Sequence, residues 1–340
     1  MAKGRRGAKV IEESGLRSPK GHRFTGSREV QGKVVLLVVA CVAASGSSRT
    51  PTDSAGSEGP VPGSATDTAA DTAPDTAAEP LTGPCATNVS AVVLGPVQDG
   101  ALDEISGLAV SRQNPGILWT HEDSGGAADL YALDSTGATV ATLHLEGVTN
   151  NDWEDVAIGP CDVGWCLAVG EIGTASWDHS VLIVEEPQLD GAAEYTALPE
   201  VRSFTYPGDP EDAEGLALFP DGTSLIVTKR TDATAGLFQL QDDATVLEWL
   251  GDVPTGGEGE DLTARATAVD LSTDGTTLLL RTYLHLYEVD VTDPRVPGVP
   301  RAVPFAVELQ GEAVAYDPLQ GGFWQVGEGS KPSLFFTGCG

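Results

Sequence analysis

From residue 101 to the C-terminus, apolar residues fall into short runs broken by Gly, Pro, Asn or Asp, and no stretch holds a helical period. One run recurs five times: Ile105-Ser-Gly-Leu-Ala-Val-Ser111, Trp153-Glu-Asp-Val-Ala-Ile-Gly159, Ala213-Glu-Gly-Leu-Ala-Leu-Phe219, Ala266-Thr-Ala-Val-Asp-Leu-Ser272 and Gly311-Glu-Ala-Val-Ala-Tyr-Asp317. A turn follows each, often on Pro or Asp-Gly, as at Asn114-Pro-Gly116, Asp221-Gly222 and Asp274-Gly275. A second apolar run comes next: Ile117 to Thr120, Cys166 to Val169, Leu225 to Thr228, Leu278 to Leu280 and Phe323 to Val326. A third closes each unit: Leu130 to Leu133, Val181 to Val184, Gly236 to Leu240, Leu286 to Val289 and Ser333 to Phe336.

Short strands repeating in units of roughly 45–60 residues predict an all-β chain folded as a β-propeller. Small residues in the first run (Gly107, Ala109, Ala157, Gly215, Ala217, Ala313, Ala315) suit the crowded position next to a propeller axis. The last unit stops after its third strand, so the missing fourth is expected from Val89 to Val93, closing the ring as a clasp. Five blades are expected. Six would result if 185–209 formed a blade of its own, and a β-sandwich is the other alternative.

Cysteine usage adds staples. Cys161 and Cys166 flank a turn-like Asp-Val-Gly-Trp and can close a hairpin, while Cys85 and Cys339 sit at the two ends of the repeat region. An even set of four in an exported chain suggests disulfides, with three pairings open. The pairs Cys85–Cys339 and Cys161–Cys166 follow if the ends of the ring meet.

The region before the repeats reads as address and tether. A basic N-terminus (Arg5, Arg6, Lys9, Lys20, Arg23, Lys33) leads into the apolar run Val34 to Ala40, far short of the roughly 20 residues that span a bilayer. Val38-Val39-Ala40-Cys41 resembles the lipobox of bacterial lipoproteins, with Cys41 as the lipidated residue. Residues 1–41 are therefore expected to be a lipoprotein-type signal peptide. Residues 42–84, rich in Ala, Thr, Asp and Pro, have too few large apolar groups to offset the entropy of folding, so a disordered linker is expected. The propeller domain is assigned to 85–340. The expected location is extracytoplasmic, on the cell envelope, with the lipid anchor as the sole link to membrane.

Charge narrows the partners. The formal charge is −31, and because the first 41 residues hold nine of the 19 cations but three of the 50 acids, the remainder carries 10 cations against 47 acids. Nucleic-acid binding needs clustered cations to displace counterions, so it is excluded. A small-molecule, glycan or protein ligand remains, taken by a monomer.

In a propeller the first strands begin at one face and the second strands return to it, so two sets of side chains should converge on one mouth. Aligned first strands bring together Ser106, Glu154, Glu214, Thr267 and Glu312, and two residues earlier Glu104, Asp152, Asp212, Arg265 and Gln310. The second strands end in His121-Glu-Asp123, Glu171, Lys229-Arg230, Arg281 and Glu328. Five of the ten cations after Cys41 (Lys229, Arg230, Arg265, Arg281, Lys331) fall there too. The mouth is thus expected to bind a ligand through Glu104, His121, Asp152, Asp212, Lys229, Arg230, Arg265, Arg281 and Glu328. Glu154, Glu214 and Glu312 are candidates for a hard cation such as Ca²⁺, which prefers oxygen ligands. Gly-x-Ser-x-Gly, His-Glu-x-x-His and phosphate-loop motifs are absent from the sequence.

The succession Ser106-Gly-Leu-Ala, Asn114-Pro-Gly, Leu118-Trp-Thr-His121, Asp123-Ser-Gly125, Asp152-Trp-Glu-Asp155, Asp212-Ala-Glu214, Thr228-Lys-Arg230, Arg281-Thr-Tyr283 and Gly311-Glu-Ala313 resembles a family of secreted bacterial propellers. That family is loosely similar to phytase and esterase-like propellers. Its usual Asn before Asp-Ser-Gly is Glu122 in this chain, and its Gly-Asp-Ile-Gly-Asp-Asn is Gly170-Glu-Ile-Gly-Thr-Ala175. The resemblance implies a second reading, a divalent-metal-dependent phosphoesterase. Glu154, Glu214 and Glu312 would hold metal and activate water, and Lys229, Arg230 and Arg281 would take the phosphate.

Overall fold

The computed structural model describes residues 85, 90–174, 178–256, 262–308 and 310–339. The lipobox with Cys41, the whole linker 42–84 and Val89 lie outside the described residues. Strand β1 (Val92–Pro96) is used last by the sheet order. Then come β2 (Ile105–Val110), β3 (Ile117–Glu122), β4 (Asp129–Asp134) and β5 (Thr139–Leu145), which form blade 1 as an antiparallel meander. Blade 2 takes β6 (Trp153–Pro160), β7 (Trp165–Glu171) and β8 (His179–Glu185). The segment that could have made a sixth blade is divided instead. Its β9 (Glu194–Ala197) adds in parallel to β5 as a fifth strand of blade 1, and its β10 (Glu200–Phe204) is the outer strand of blade 2. His144 of β5, between Asp129 (2.7 Å) and Glu194 (2.5 Å), ties that added strand down.

Blade 3 is β11 (Ala213–Leu218), β12 (Ser224–Thr228), β13 (Thr234–Leu240) and β14 (Glu248–Pro254). Blade 4 is β15 (Ala266–Leu271), β16 (Thr277–Thr282), β17 (Leu286–Asp290) and the short β18 (Arg301–Ala302). Blade 5 is β19 (Gly311–Asp317), β20 (Gly322–Gly327) and β21 (Ser333–Gly338), completed by β1, which pairs with β21 from Val92↔Phe336 to Pro96↔Ser333. The protein is a five-bladed β-propeller with a clasp. The bond Cys85–Cys339 joins positions 254 residues apart beside that clasp, and Cys161–Cys166 closes the β6–β7 hairpin. A cross-link of such span removes much of the freedom of the unfolded chain.

The strands β2, β6, β11, β15 and β19 stand side by side around the axis, with β19 returning against β2. Covered on both faces by adjoining blades, they are almost wholly buried, whereas the outer β1 and β10 are largely exposed. Each hydrophobic cluster lies between two blades. Trp119 and Leu130 meet Trp153 and Leu167, Ala168 meets Leu216 and Ile226, and Leu225 and Val227 meet Val269 and Leu280. Leu279 meets Val314 and Phe323, and Leu108 meets Ala313 and Trp324, which completes the circuit. The core is thus a ring of face-to-face seams, the reason the repeat cannot stop short of closure.

Polar groups fasten the strands at the axis. The buried Asp155 carboxylate accepts the backbone N–H groups of Val156 (2.9 Å), Leu216 (3.0 Å) and Val269 (3.2 Å), linking blades 2, 3 and 4. Asp270 accepts those of Leu271 (2.8 Å) and Tyr316 (2.7 Å), linking blades 4 and 5.

All five innermost strands carry a bulge near the start. The register skips between Ile105 and Leu108, Trp153 and Asp155, Ala213 and Gly215, Ala266 and Ala268, and Gly311 and Ala313. The residue left out of the ladder is Ser106 (with Gly107), Glu154, Glu214, Thr267 or Glu312. An extra residue in one strand bends it and re-aims a side chain, and these bulges turn one side chain per blade toward the axis.

Candidate functional site

Three of the five re-aimed residues, Glu154, Glu214 and Glu312, line one axial cavity of about 110 Å³ together with Glu104, Ile105, Asp123, Lys229, Tyr283, Gln310 and Glu328. The other two act locally. Ser106 Oγ donates to Glu154 Oε2 (3.3 Å), and Thr267 Oγ1 donates to the Gly311 carbonyl (2.7 Å). The alignment of the repeats therefore brings together the three glutamates, Glu104, Lys229 and Glu328.

Among the described residues, Lys229 is the single cation lining the cavity, and its Nζ lies 2.5 Å from Glu214 Oε1 and 5.3 Å from the Tyr283 ring centre. Burial opposes the Lys229 charge, but the Glu214 carboxylate outweighs it and pushes the ammonium pKa up. The remaining carboxylates lack such a partner. Burial, then the nearby Glu214, pushes Glu154 far above the usual carboxylate range and Glu312 up to about 9. Burial, then Asp152, pushes Asp123 up to about 6. Carboxylates so placed either hold protons or share a cation.

Carboxyl oxygens of Asp123, Asp152 and Glu154 all lie within 4.8 Å of one another. Asp123 Oδ1 is buried with no hydrogen-bond partner among the described residues, and Glu154 is 6% exposed. The backbone shapes itself around this trio. Thr174, in a left-handed conformation (φ 54°), donates its N–H to Asp212 Oδ1 (2.7 Å) and its hydroxyl to Asp152. A Cβ at Gly173 would overlap Glu154 Oε1 and come within 2.8 Å of the Asp152 carboxyl, so only glycine lets the chain pass so close.

Four of the expected ligand residues stand elsewhere. Residues 229 and 230 point to opposite sides, as neighbours in extended backbone do. Lys229 faces the cavity, while Arg230 turns outward to Glu211 (2.6 Å) and Asp252 (2.7 Å). Arg281, inside β16, is 1% exposed and is used structurally, pairing with Glu308 (2.5 Å) and donating to the Ala313 carbonyl (3.2 Å). His121 is fully buried, its Nδ1 2.9 Å from the Glu122 carbonyl and its ring edge-on to Trp153. Burial lowers its pKa to about 4, so it is neutral and part of the seam between blades 1 and 2. Arg265 lies at the rim near Asp212, outside the cavity lining. The repeat pattern brings Asp123 to the mouth at the end of a second strand without marking it as a ligand, and it gave no sign of Tyr283, which comes from the loop after β16.

No family model matches the chain, and no curated protein matches it. Among solved structures it is similar to a PQQ-bound aldose sugar dehydrogenase from Streptomyces coelicolor (12% identity, 75% of this chain and 99% of that one, TM-score 0.46). It is also similar to a protein of unknown function from Bacteroides thetaiotaomicron VPI-5482 (12% identity, 74% and 76%, TM-score 0.42). A third similarity is to a chain of a nidogen/laminin complex (13% identity, 66% and 72%, TM-score 0.41).

Proposed function

We propose that the axial cavity binds Ca²⁺, with Asp123, Asp152 and Glu154 as its protein ligands, and that the propeller takes up an oxygen-rich ligand through that ion. The carrying observation is the meeting of three carboxylates within 4.8 Å, one oxygen of which has no partner. Oxygens bound to one Ca²⁺ at about 2.3–2.6 Å fall within such a span, and three protein ligands leave several of its six to eight positions for water and ligand. Glu214 is already paired with Lys229, and Glu312 lines the cavity without joining the trio, so the ligand set differs from the three equivalent glutamates of the repeats.

The phosphoesterase reading is weaker. Of its three phosphate-binding cations, Arg230 and Arg281 are paired outside the cavity and Lys229 is bonded to Glu214. The test is calorimetric titration of the full chain with CaCl₂. One site is expected in the wild type, with Glu154→Gln and Asp123→Asn each weakening it at least tenfold and no hydrolysis of a phosphomonoester. A wild type that takes up no calcium overturns the proposal. Calcium-dependent hydrolysis that is lost in Lys229→Ala restores the enzyme.

The two disulfides fit maturation in an oxidising, extracytoplasmic compartment. We further propose that Cys41 carries the lipid that holds the protein at the envelope. Cys41→Ala should move the protein from the membrane to the soluble exported fraction, since so acidic a chain has no attraction of its own for anionic lipid. Unchanged membrane association would refute the anchor.

A further inference from the structure

A second hollow, of about 520 Å³, lies on the flank of blade 3, away from the axial cavity. Its wall is built from Tyr206 and Glu211 in the loop entering β11, Arg230 after β12, Phe238 of β13, and Trp249 and Asp252 of β14. Tryptophan is rarely left in water, yet Trp249 is 54% exposed. The sheet arranges this. In the pairing of β13 with β14, Leu237 faces Gly251 and Phe238 faces Trp249, which leaves Leu250 as a bulge. Without the bulge, Trp249 and Asp252 would point to opposite faces. With it, both are exposed while Leu250, Gly251 and Val253 stay buried.

The polar groups around that indole are held still. Arg230 donates Nε and Nη2 to Glu211 (2.6 and 2.8 Å) and Nη1 to Asp252 (2.7 Å). Trp249 Nε1 donates to the same Asp252 oxygen (3.3 Å). Gly236, opposite Asp252, makes room, since a Cβ there would come within 2.5 Å of Arg230 Nη2. Tyr206 is 5% exposed, and its ring is wedged edge-on against Phe238 (5.0 Å) and His179 (5.5 Å). Its hydroxyl nevertheless has no hydrogen-bond partner among the described residues.

We propose that this hollow binds a neutral, pyranose-based oligosaccharide. A pyranose ring has one apolar C–H face and a rim of hydroxyls that both donate and accept. The open Trp249 face matches the first, and the fixed Glu211 and Asp252 carboxylates and the Arg230 guanidinium match the second. The volume lies within the roughly 300–1,000 Å³ of small-molecule sites. A formal charge of −31 repels anionic ligands and leaves neutral polyols unaffected. A proline-rich peptide would want paired aromatic ridges, and here one exposed ring stands within a charged frame.

The experiment uses the full chain and four neutral tetrasaccharides, of β-linked glucose, α-linked glucose, mannose and N-acetylglucosamine, read by tryptophan fluorescence and calorimetry. At least one should bind, equally well in EDTA, which separates this site from the axial cation. Trp249→Ala, at an exposed position, should weaken binding at least tenfold while leaving the melting temperature and circular dichroism unchanged. The proposal is overturned if none of the four binds, if binding survives Trp249→Ala, or if a proline-rich peptide binds and the sugars do not.

Discussion

Calcium is expected to raise the melting temperature by a larger margin at pH 8.5 than at pH 6. In the metal-free chain Glu154 and Glu312 keep their protons well above the range in which an unfolded glutamate loses them, Glu312 up to about 9. A carboxyl whose folded pKa is raised contributes stability that is complete below the unfolded value, near 4.5. That contribution is lost as pH rises through the folded one, at up to about 1.4 kcal/mol per pH unit for each group. Metal-free stability should therefore fall between about pH 5 and 9. Calcium replaces the protons and favours the ionised carboxylates, so its stabilisation grows over the same window. At about 1,000 times the dissociation constant it amounts to about 4 kcal/mol. Melting curves with CaCl₂ and with EDTA at the two pH values test this. A calcium effect that shrinks with pH, or metal-free stability that rises across the window, contradicts the site as drawn.

Asp155→Ala should destabilise the protein by about 3–5 kcal/mol, seen as a lower urea midpoint. The carboxylate satisfies N–H groups of blades 3 and 4 as well as that of Val156, and its removal leaves two donors of other blades unpaired in the core. Each such orphan costs about 1–3 kcal/mol. Asp155→Asn keeps one carbonyl oxygen to face Leu216 and Val269 but sets an amide N–H₂ against the Val156 N–H, so a smaller loss is expected. Equal stability of the alanine variant and the wild type would show that the interblade bonds carry nothing.

The ring itself was readable in the chain because five nearly equal segments each need a neighbour on both faces. Three strands per unit, the clasp and both disulfides follow from that repetition and from where the cysteines stand. The division of 185–209 between two blades was not readable. Its strands β9 and β10 are short and half exposed, and an edge strand's partner is chosen by what lies alongside it rather than by its own pattern. At the mouth the repeat alignment located Glu154, Glu214 and Glu312, since equivalent positions in equivalent blades must converge. It overcounted the cations, because adjacent residues such as Lys229 and Arg230 diverge and because Arg281 is spent inside a sheet. Trp249 gave no sign of its exposure, which depends on one bulged residue that no periodicity announces.

The bulges at the head of the innermost strands have one more consequence. A residue skipped by the ladder takes no part in strand registration, so its identity can change without disturbing the pairing on either side. The ring thus separates scaffold from message: three of these positions, now Glu154, Glu214 and Glu312, write the chemistry of the axial cavity, while Ser106 and Thr267 bond to their neighbours. Such a molecule can be respecified by substitution at a handful of sites, toward an uncharged ring of hydroxyls or a fuller set of carboxylates, in nature or at the bench, with the architecture carried over intact.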